Sequence, residues 1–208
     1  MRTRLIVIGL VSAAILAVLA FVIIPQMLKP KPPDYYPTQG WRESTPEEQG
    51  FDSVKLAEGL QAIQEQDIAI DSLLAIRDGK VLLDAYFYPY DGTTVHDMAS
   101  VTKSVMTTLI AIAAGQGKLE LDQPMLSYFP ERAIANLDER KERITVRHLT
   151  GMVNGFVSGC LSGDLSTISR MTSQPNWVQA ALDREMAHEP GTVFCYDSPG
   201  MHLLSAIL

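Results

Sequence analysis

The stretch MASVTKSVMTTLIAIAA at residues 98–114 decides the fold that this sequence predicts. As a helix it would be apolar on most sides, and glycine at position 115 marks its end. Ser100 and Lys103 stand three residues apart, so a helix places them on one face about one turn apart. The stretch therefore predicts a buried helix that begins with a serine and a lysine side by side.

A serine and a lysine in this arrangement suit acyl transfer. The Ser100 hydroxyl would be the nucleophile, and a desolvated Lys103 amine would accept its proton. The backbone N–H of Ser100, at the free end of the helix, would donate a hydrogen bond to the oxyanion. The tetrapeptide by itself fits more simply a solvent-facing N-cap serine and a lysine on the wet side of a core helix. The apolar residues at 105–113 shift the balance toward the buried, chemical alternative.

The first 24 residues have the composition of a membrane segment. Residues 5–24 carry no charge, and as a helix rising 1.5 Å per residue they would cross roughly 30 Å of hydrocarbon. Arg2 and Arg4 precede them, and Pro25 follows. The alternatives are an uncleaved anchor, a cleaved secretory signal with its small-residue site at 18–20, and, least favoured, a buried core helix. Either export alternative places the remainder outside the cytoplasm, membrane-anchored or secreted.

The rest of the chain divides into a proline-rich linker at 25–50 and one domain at 51–208. Within the domain, Asp78-Gly79 separates two apolar runs at 73–77 and 80–86. This pattern predicts a β-hairpin with a type I′ turn, because both central residues of that turn need positive φ.

Composition narrows the class of protein. The chain has 208 residues, and 47% of them are hydrophobic, which excludes a disordered chain. A net charge of −7 argues against a general nucleic-acid binder. The 4 histidines are scattered without metal-ligand spacing, so we expect no metal and no cofactor. Cys160 and Cys195 form either a disulfide or two separate thiols, since sequence does not give the distance between them.

Six separated blocks of sequence occur in the order of one known family. They read ASVTKSV at 99–105, GKLELDQP at 117–124, YFP at 128–130, ITVRHL at 144–149, EPG at 189–191 and FCY at 194–196. Together they resemble the serine β-lactamase-related superfamily, and within it the class C-type group that includes esterases and amide hydrolases. The resemblance covers about residues 41–208. It implies an α+β, β-lactamase/transpeptidase-like fold, with a helical subdomain and an antiparallel sheet.

The resemblance also implies roles for particular residues. Ser100 matches the acylated nucleophile and Lys103 its activating partner. Tyr196 matches the tyrosine of a Tyr-x-Asn motif, whose phenol relays protons between the serine and the leaving group. Ser198 stands at the third position, and its hydroxyl reaches less far than an amide, which favours ester or amide hydrolysis over β-lactam recognition. Met98 and Ser198 are expected to contact substrate, although Ser198 also suits an ordinary turn and Tyr196 a loop aromatic.

The family carries a further Lys- or His-x-Gly motif on a later strand, and these 208 residues contain no such sequence. That strand would donate the second oxyanion N–H, and losing one such donor costs on the order of 10²–10³ in rate. The C-terminal sheet strands are also expected to be missing. We therefore expect that the 208 residues by themselves are not a competent enzyme and that a longer gene product is.

Three hypotheses about function follow. The leading one is an exported or membrane-anchored serine hydrolase that acts on a small-molecule ester or amide, or a peptide-like substrate, and uses water as the final acceptor. The second is a penicillin-binding, D-alanyl-peptide-processing protein or a β-lactamase of the same fold. The third, of another class, is a catalytically silent interaction module tethered to the membrane through residues 5–24. No nucleic-acid partner is expected, and the sequence does not predict the oligomeric state.

Overall fold

A computed structural model describes residues 34–208, so the predicted membrane segment at 5–24 lies outside the described residues. Among residues 34–208, no helix combines the length and the hydropathy that crossing a bilayer requires. The chain separates into two compact units, of which the first ends at Val95 and the second is His96–Leu208. The limits of the linker and of the export segment stay predictions.

The first unit contains a small sheet and one helix. Its elements are β1 (Arg42–Glu43), α1 (Ser53–Glu65), β2 (Ser72–Arg77) and β3 (Lys80–Tyr86), with a 3₁₀ turn at Glu47–Gln49. The Asp52 carboxylate caps α1 by accepting hydrogen bonds from the next turn's N–H groups.

The predicted hairpin is confirmed, and the predicted antiparallel sheet is corrected in one respect. β2 and β3 pair antiparallel around Asp78 and Gly79, whose φ values are 49° and 74°, as a type I′ turn requires. β1 then pairs with β3 in parallel, so the sheet is mixed, in the order β1-β3-β2. The sequence offers little signal for a strand of two residues in a proline-rich stretch. None of the side chains described in residues 34–95 is fully buried.

The second unit is helical and contains the core. Its helices are α2 (Val101–Gly115), α3 (Glu139–Glu142), α4 (Val146–Thr150), α5 (Cys160–Thr172), α6 (Trp177–Leu182) and α7 (Ser198–Ile207), with a 3₁₀ turn at Met125–Tyr128. The last helix, α7, packs against α2, α4, α5 and α6. The fully buried side chains of the core include Ile110, Met125, Ile144, Val146, Leu149, Leu182, Leu203 and Leu204.

Helix α2 forms where the sequence predicts it, but it is less buried than predicted. Only Ile110 and Ala113 are buried along it. Val105 is 46% exposed, Leu109 44% and Ile112 50%. The physical reason is that the described core lies along one side of α2, while the pattern of the sequence is apolar on several sides.

Candidate active site

Ser100 lies at the start of α2, in front of the first helical turn. Ala99 has a φ of 42°, an uncommon conformation for a residue with a Cβ, and Asp97 Oδ1 accepts its N–H at 2.8 Å. Ser100 follows as the N-cap residue, yet its side chain makes no capping hydrogen bond. Among the described residues, no acceptor bonds the Ser100 N–H. The helix therefore uses neither the hydroxyl nor the N–H of Ser100 for its own capping.

Lys103 lies next to this hydroxyl, one turn along the helix. Its Nζ donates a hydrogen bond to Ser100 Oγ at 3.1 Å. The same Nζ stands 5.0 Å from the centroid of the Tyr196 ring, within the range of a cation–π contact. The structure thus brings together Ser100, Lys103 and Tyr196, the three residues predicted to be catalytic.

The phenol of Tyr196 takes part in the same cluster. A hydrogen bond with the Ser100 hydroxyl is the largest cause that holds the pKa of Tyr196 below its ordinary value of 10.0. Partial burial acts in the opposite direction, and Lys103 lowers the pKa further through a hydrogen bond and its charge. A lowered pKa increases the fraction of phenolate at a given pH, and phenolate is the form that can accept a proton in a relay.

The residue directly before Tyr196 is fixed by a covalent bond and a backbone hydrogen bond. Cys195, directly before it, forms a disulfide with Cys160, with 4.7 Å between the two Cα atoms. This decides between the two alternatives that the sequence left open. The N–H of Cys195 also donates to the carbonyl of Met152 at 3.0 Å.

Ser198, after Tyr196, is bonded within the protein. Its hydroxyl donates to Asp164 Oδ2 at 2.6 Å, and its N–H donates to Asp164 Oδ1 at 3.0 Å. Asp164 is buried. The hydroxyl hydrogen of Ser198 is therefore already used, which leaves its oxygen as an acceptor for a substrate. Contact between Ser198 and substrate stays a prediction.

A groove of about 380 Å³ borders Lys103 and includes Met152, Phe194 and Met201 in its lining. Met98 is half exposed and is not part of this lining, so its predicted contact with substrate also stays a prediction. A second cavity, of about 520 Å³, lies between α5 and α6 and contains none of the predicted site residues. Nowhere in residues 34–208 do three or more His, Cys, Asp or Glu side chains cluster so as to hold a metal ion.

Sequence reasoning missed two buried carboxylates that border the site. Asp197 stands between Tyr196 and Ser198, and its carboxylate is 2% exposed. Asp164 lies in a helix rich in serine and glycine, where an acidic residue looks solvent-facing. The one available signal was the position of Asp197 inside the tyrosine motif, between two residues that the resemblance assigns to the site.

Comparisons with known proteins agree on the family. The Beta-lactamase family profile matches residues 55–208. A penicillin-binding protein homologue from Pyrococcus abyssi, an octamer, is 26% identical, with a TM-score of 0.55 over 76% of this chain and 38% of its own. A Bacillus anthracis protein provisionally described as a 6-aminohexanoate-dimer hydrolase is 17% identical, with a TM-score of 0.54 over 69% of this chain and 40% of its own.

A third solved structure is EstCE1, a hydrolase with promiscuous acyltransferase activity. It is 20% identical, with a TM-score of 0.53 over 74% of this chain and 45% of its own. The chain therefore spans about two fifths of the length of the solved structures that it matches. No curated protein matches it significantly.

Proposed function

The chain belongs to the Beta-lactamase family, and we propose that it is a serine hydrolase that cleaves an ester or amide through an acyl-enzyme at Ser100. The observation that carries the proposal is the contact of Lys103 Nζ with Ser100 Oγ at 3.1 Å, beside the Tyr196 phenol. In the first step, the Ser100 oxygen bonds to the acyl carbon while its proton passes to Lys103 or Tyr196. The leaving group then departs with a proton from this pair, and water later releases the acyl group by the same route.

The backbone N–H of Ser100 is the oxyanion donor in this proposal, because it lies at the free end of α2. The family resemblance assigns the second donor to a strand with Lys- or His-x-Gly, a sequence that residues 1–208 do not contain. We accordingly propose that these 208 residues by themselves are not a competent enzyme, because the missing donor slows acylation on the order of 10²–10³ relative to a site with both donors.

Export is part of the proposal. The uncharged run at 5–24 supplies the anchor or signal. The Cys160–Cys195 disulfide supports a location on the outer side of the membrane, since disulfides persist in oxidising compartments.

The hydrolase proposal is tested with an ester that needs little activation to react. Purified protein is incubated with a short-chain p-nitrophenyl ester, and p-nitrophenol and the intact mass are followed over hours. We expect one acyl group per chain, on Ser100, with no adduct in Ser100→Ala and slowing on the order of 10²-fold or more in Lys103→Met. Ser169→Ala, an exposed serine of α5, serves as the matched control and should react like the parent.

Two results would count against these statements. An adduct that persists in Ser100→Ala would mean that another residue is the nucleophile. Rapid, complete acylation of Ser100 by an unactivated alkyl ester would contradict the slow reaction proposed for the 208 residues.

A penicillin-binding or β-lactamase function is the second candidate. It is favoured by the 26% identity to the Pyrococcus abyssi penicillin-binding protein homologue. A fluorescent penicillin separates the two candidates: labelling of Ser100 by the penicillin in preference to the p-nitrophenyl ester would favour this second function. The engaged hydroxyl of Ser198 leads us to expect the ester to react preferentially.

A further inference from the structure

Helix α5 contacts the Tyr196 segment at two points. Cys160, at the start of the helix, is covalently bonded to Cys195, the residue before Tyr196. Asp164, four residues later, accepts two hydrogen bonds from Ser198, two residues after Tyr196. Both attachments therefore come from the first five residues of α5, Cys160 to Asp164.

The second attachment has a clear electrostatic basis. Ser198 is the first residue of α7, and the N-cap residue Asp197 makes no side-chain capping bond. The N–H groups at this end of α7 carry partial positive charge. Asp164 supplies from another helix the carboxylate that an N-cap would supply, and it is itself buried, so the contact is shielded from water.

The first attachment, the disulfide at Cys160, is supported by a hydrogen bond at the start of α5. Gly159, just before α5, donates its N–H to Thr167 Oγ1 at 2.9 Å, and Thr167 is buried. The turn that presents Cys160 is thereby tied to the body of the helix. Cys195 in turn bonds Met152 through its backbone N–H.

We propose that α5 acts as a two-point clamp on Tyr196: the Cys160–Cys195 disulfide positions the chain before the phenol, and the Asp164 carboxylate positions the chain after it. The catalytic role of this clamp rests on the proposed function, in which Tyr196 relays protons. Cys160, Cys195 and Asp164 are positioning residues in this proposal, because they act on Ser100 chemistry only through Tyr196. A misplacement of about 1 Å can cost on the order of 10²-fold in rate, so both attachments matter to a proton relay.

The test measures the titration of Tyr196 and the acylation of Ser100 separately. The phenol is followed by ultraviolet difference absorbance against the same protein with Tyr196→Phe, and acylation by the rate of reaction with a p-nitrophenyl ester. The variants are Asp164→Ala, Asp164→Asn and the double variant Cys160→Ala with Cys195→Ala. Leu165→Ala, the exposed neighbour of Asp164 on α5, is the matched control.

The double cysteine variant should raise the Tyr196 midpoint toward the ordinary value and slow acylation on the order of 10- to 100-fold. Asp164→Ala should slow acylation to a similar degree, and its midpoint should lie above that of Asp164→Asn, which loses the same charge but keeps the phenol in place. Asp164→Asn keeps an oxygen acceptor for the Ser198 N–H and places an NH₂ group against the Ser198 hydroxyl, whose oxygen can accept from it. It also loses the charge, which raises the pKa of Tyr196 in the parent. It should therefore lower the midpoint and keep acylation within about twofold, because the position of the phenol is retained. Leu165→Ala should change neither quantity.

An unchanged midpoint and an unchanged rate in either Asp164→Ala or the cysteine double variant would overturn the clamp. Should Asp164→Ala fail to fold, the cysteine double variant decides by the same criterion. If Ser100 is never acylated while the midpoint responds as described, the clamp stands and the hydrolase proposal fails. If Ser100 is acylated equally fast in all variants, the hydrolase proposal stands and the clamp fails.

Discussion

Arg184 holds Asp197 by two parallel hydrogen bonds, Nη1 to Oδ1 at 2.6 Å and Nη2 to Oδ2 at 3.0 Å. The side chains of the pair are 12% and 2% exposed. Asn154 Nδ2 donates a further bond to Asp197 Oδ2 at 2.9 Å. Asp197, the residue directly after Tyr196, is therefore held in the core by a buried ion pair, and both of its carboxylate oxygens accept hydrogen bonds.

Replacing Asp197 by Asn should destabilise the protein by about 3–5 kcal/mol, because the Arg184 guanidinium would stay buried without its countercharge. Urea unfolding measures the loss. The matched control is Asp122→Asn, which breaks the exposed Asp122–Arg147 pair and should change stability little, since solvent screens that pair. Equal effects of the two substitutions would show that burial of the Arg184 pair has no energetic consequence.

Gly200, in the first turn of α7, lies so close to this ion pair that a side chain does not fit there. A Cβ there would overlap the Asp197 carboxylate and lie 2.7 Å from Asn154 Nδ2. Gly200→Ala should therefore destabilise the protein by about 1–3 kcal/mol through overpacking. Gly163→Ala on α5 is the control, because a Cβ there meets nothing within 4 Å.

Replacing a helical glycine by alanine where no atom lies near the added Cβ should stabilise the protein by about 0.5–1 kcal/mol. Thermal and urea unfolding should accordingly shift in opposite directions for Gly200→Ala and Gly163→Ala. A neutral Gly200→Ala would mean that the contact between α7 and Asp197 is looser than described.

Lys141 is a fully buried residue whose amine joins the loop before α3 to the end of α6. Its Nζ donates to the carbonyls of Ala135 at 2.7 Å and Leu182 at 3.0 Å. Lys141→Met should leave both acceptors without a partner and destabilise by about 1–3 kcal/mol, measured by urea unfolding. Lys118→Met, on an exposed lysine, should have little effect.

The pH dependence gives a second readout for Lys141. Burial lowers its pKa below 10.5, with the nearby Asp183 charge opposing. Between the lowered pKa of the folded state and the value of about 10.5 in the unfolded chain, the unfolded chain binds more protons than the folded one. The free energy of unfolding should therefore rise with pH across this window. Lys141→Met should lose that slope, and a slope that persists in the variant would assign it to another group.

The Tyr196 midpoint should depend on Ser100. Because the hydrogen bond with the Ser100 hydroxyl is the largest cause of the lowered pKa, Ser100→Ala should move the midpoint up toward 10.0. Ultraviolet difference titration measures it, with Ser169→Ala as the matched control. A midpoint unchanged by Ser100→Ala would place the phenol away from the nucleophile.

Local chemistry explains what could be predicted. The hairpin at β2 and β3 follows from Asp78-Gly79 and the flanking apolar runs, and α2 follows from a continuous helical pattern that ends in glycine. Ser100 and Lys103 could be paired in advance, since their contact is one turn of the same helix. The parallel pairing of β1 could not, because a strand of two residues carries almost no pattern of its own.

The sequence by itself determined helix α2 and the hairpin of β2 and β3, and it placed a serine beside a lysine, because these features depend on residues that are close together in the chain. Only the tertiary structure decided that Tyr196 meets them, that Cys160 bonds Cys195 and that Asp164 bonds Ser198. Each of these contacts joins residues far apart in the chain. Their distances are set by how α2, α5 and α7 pack, which no local pattern encodes.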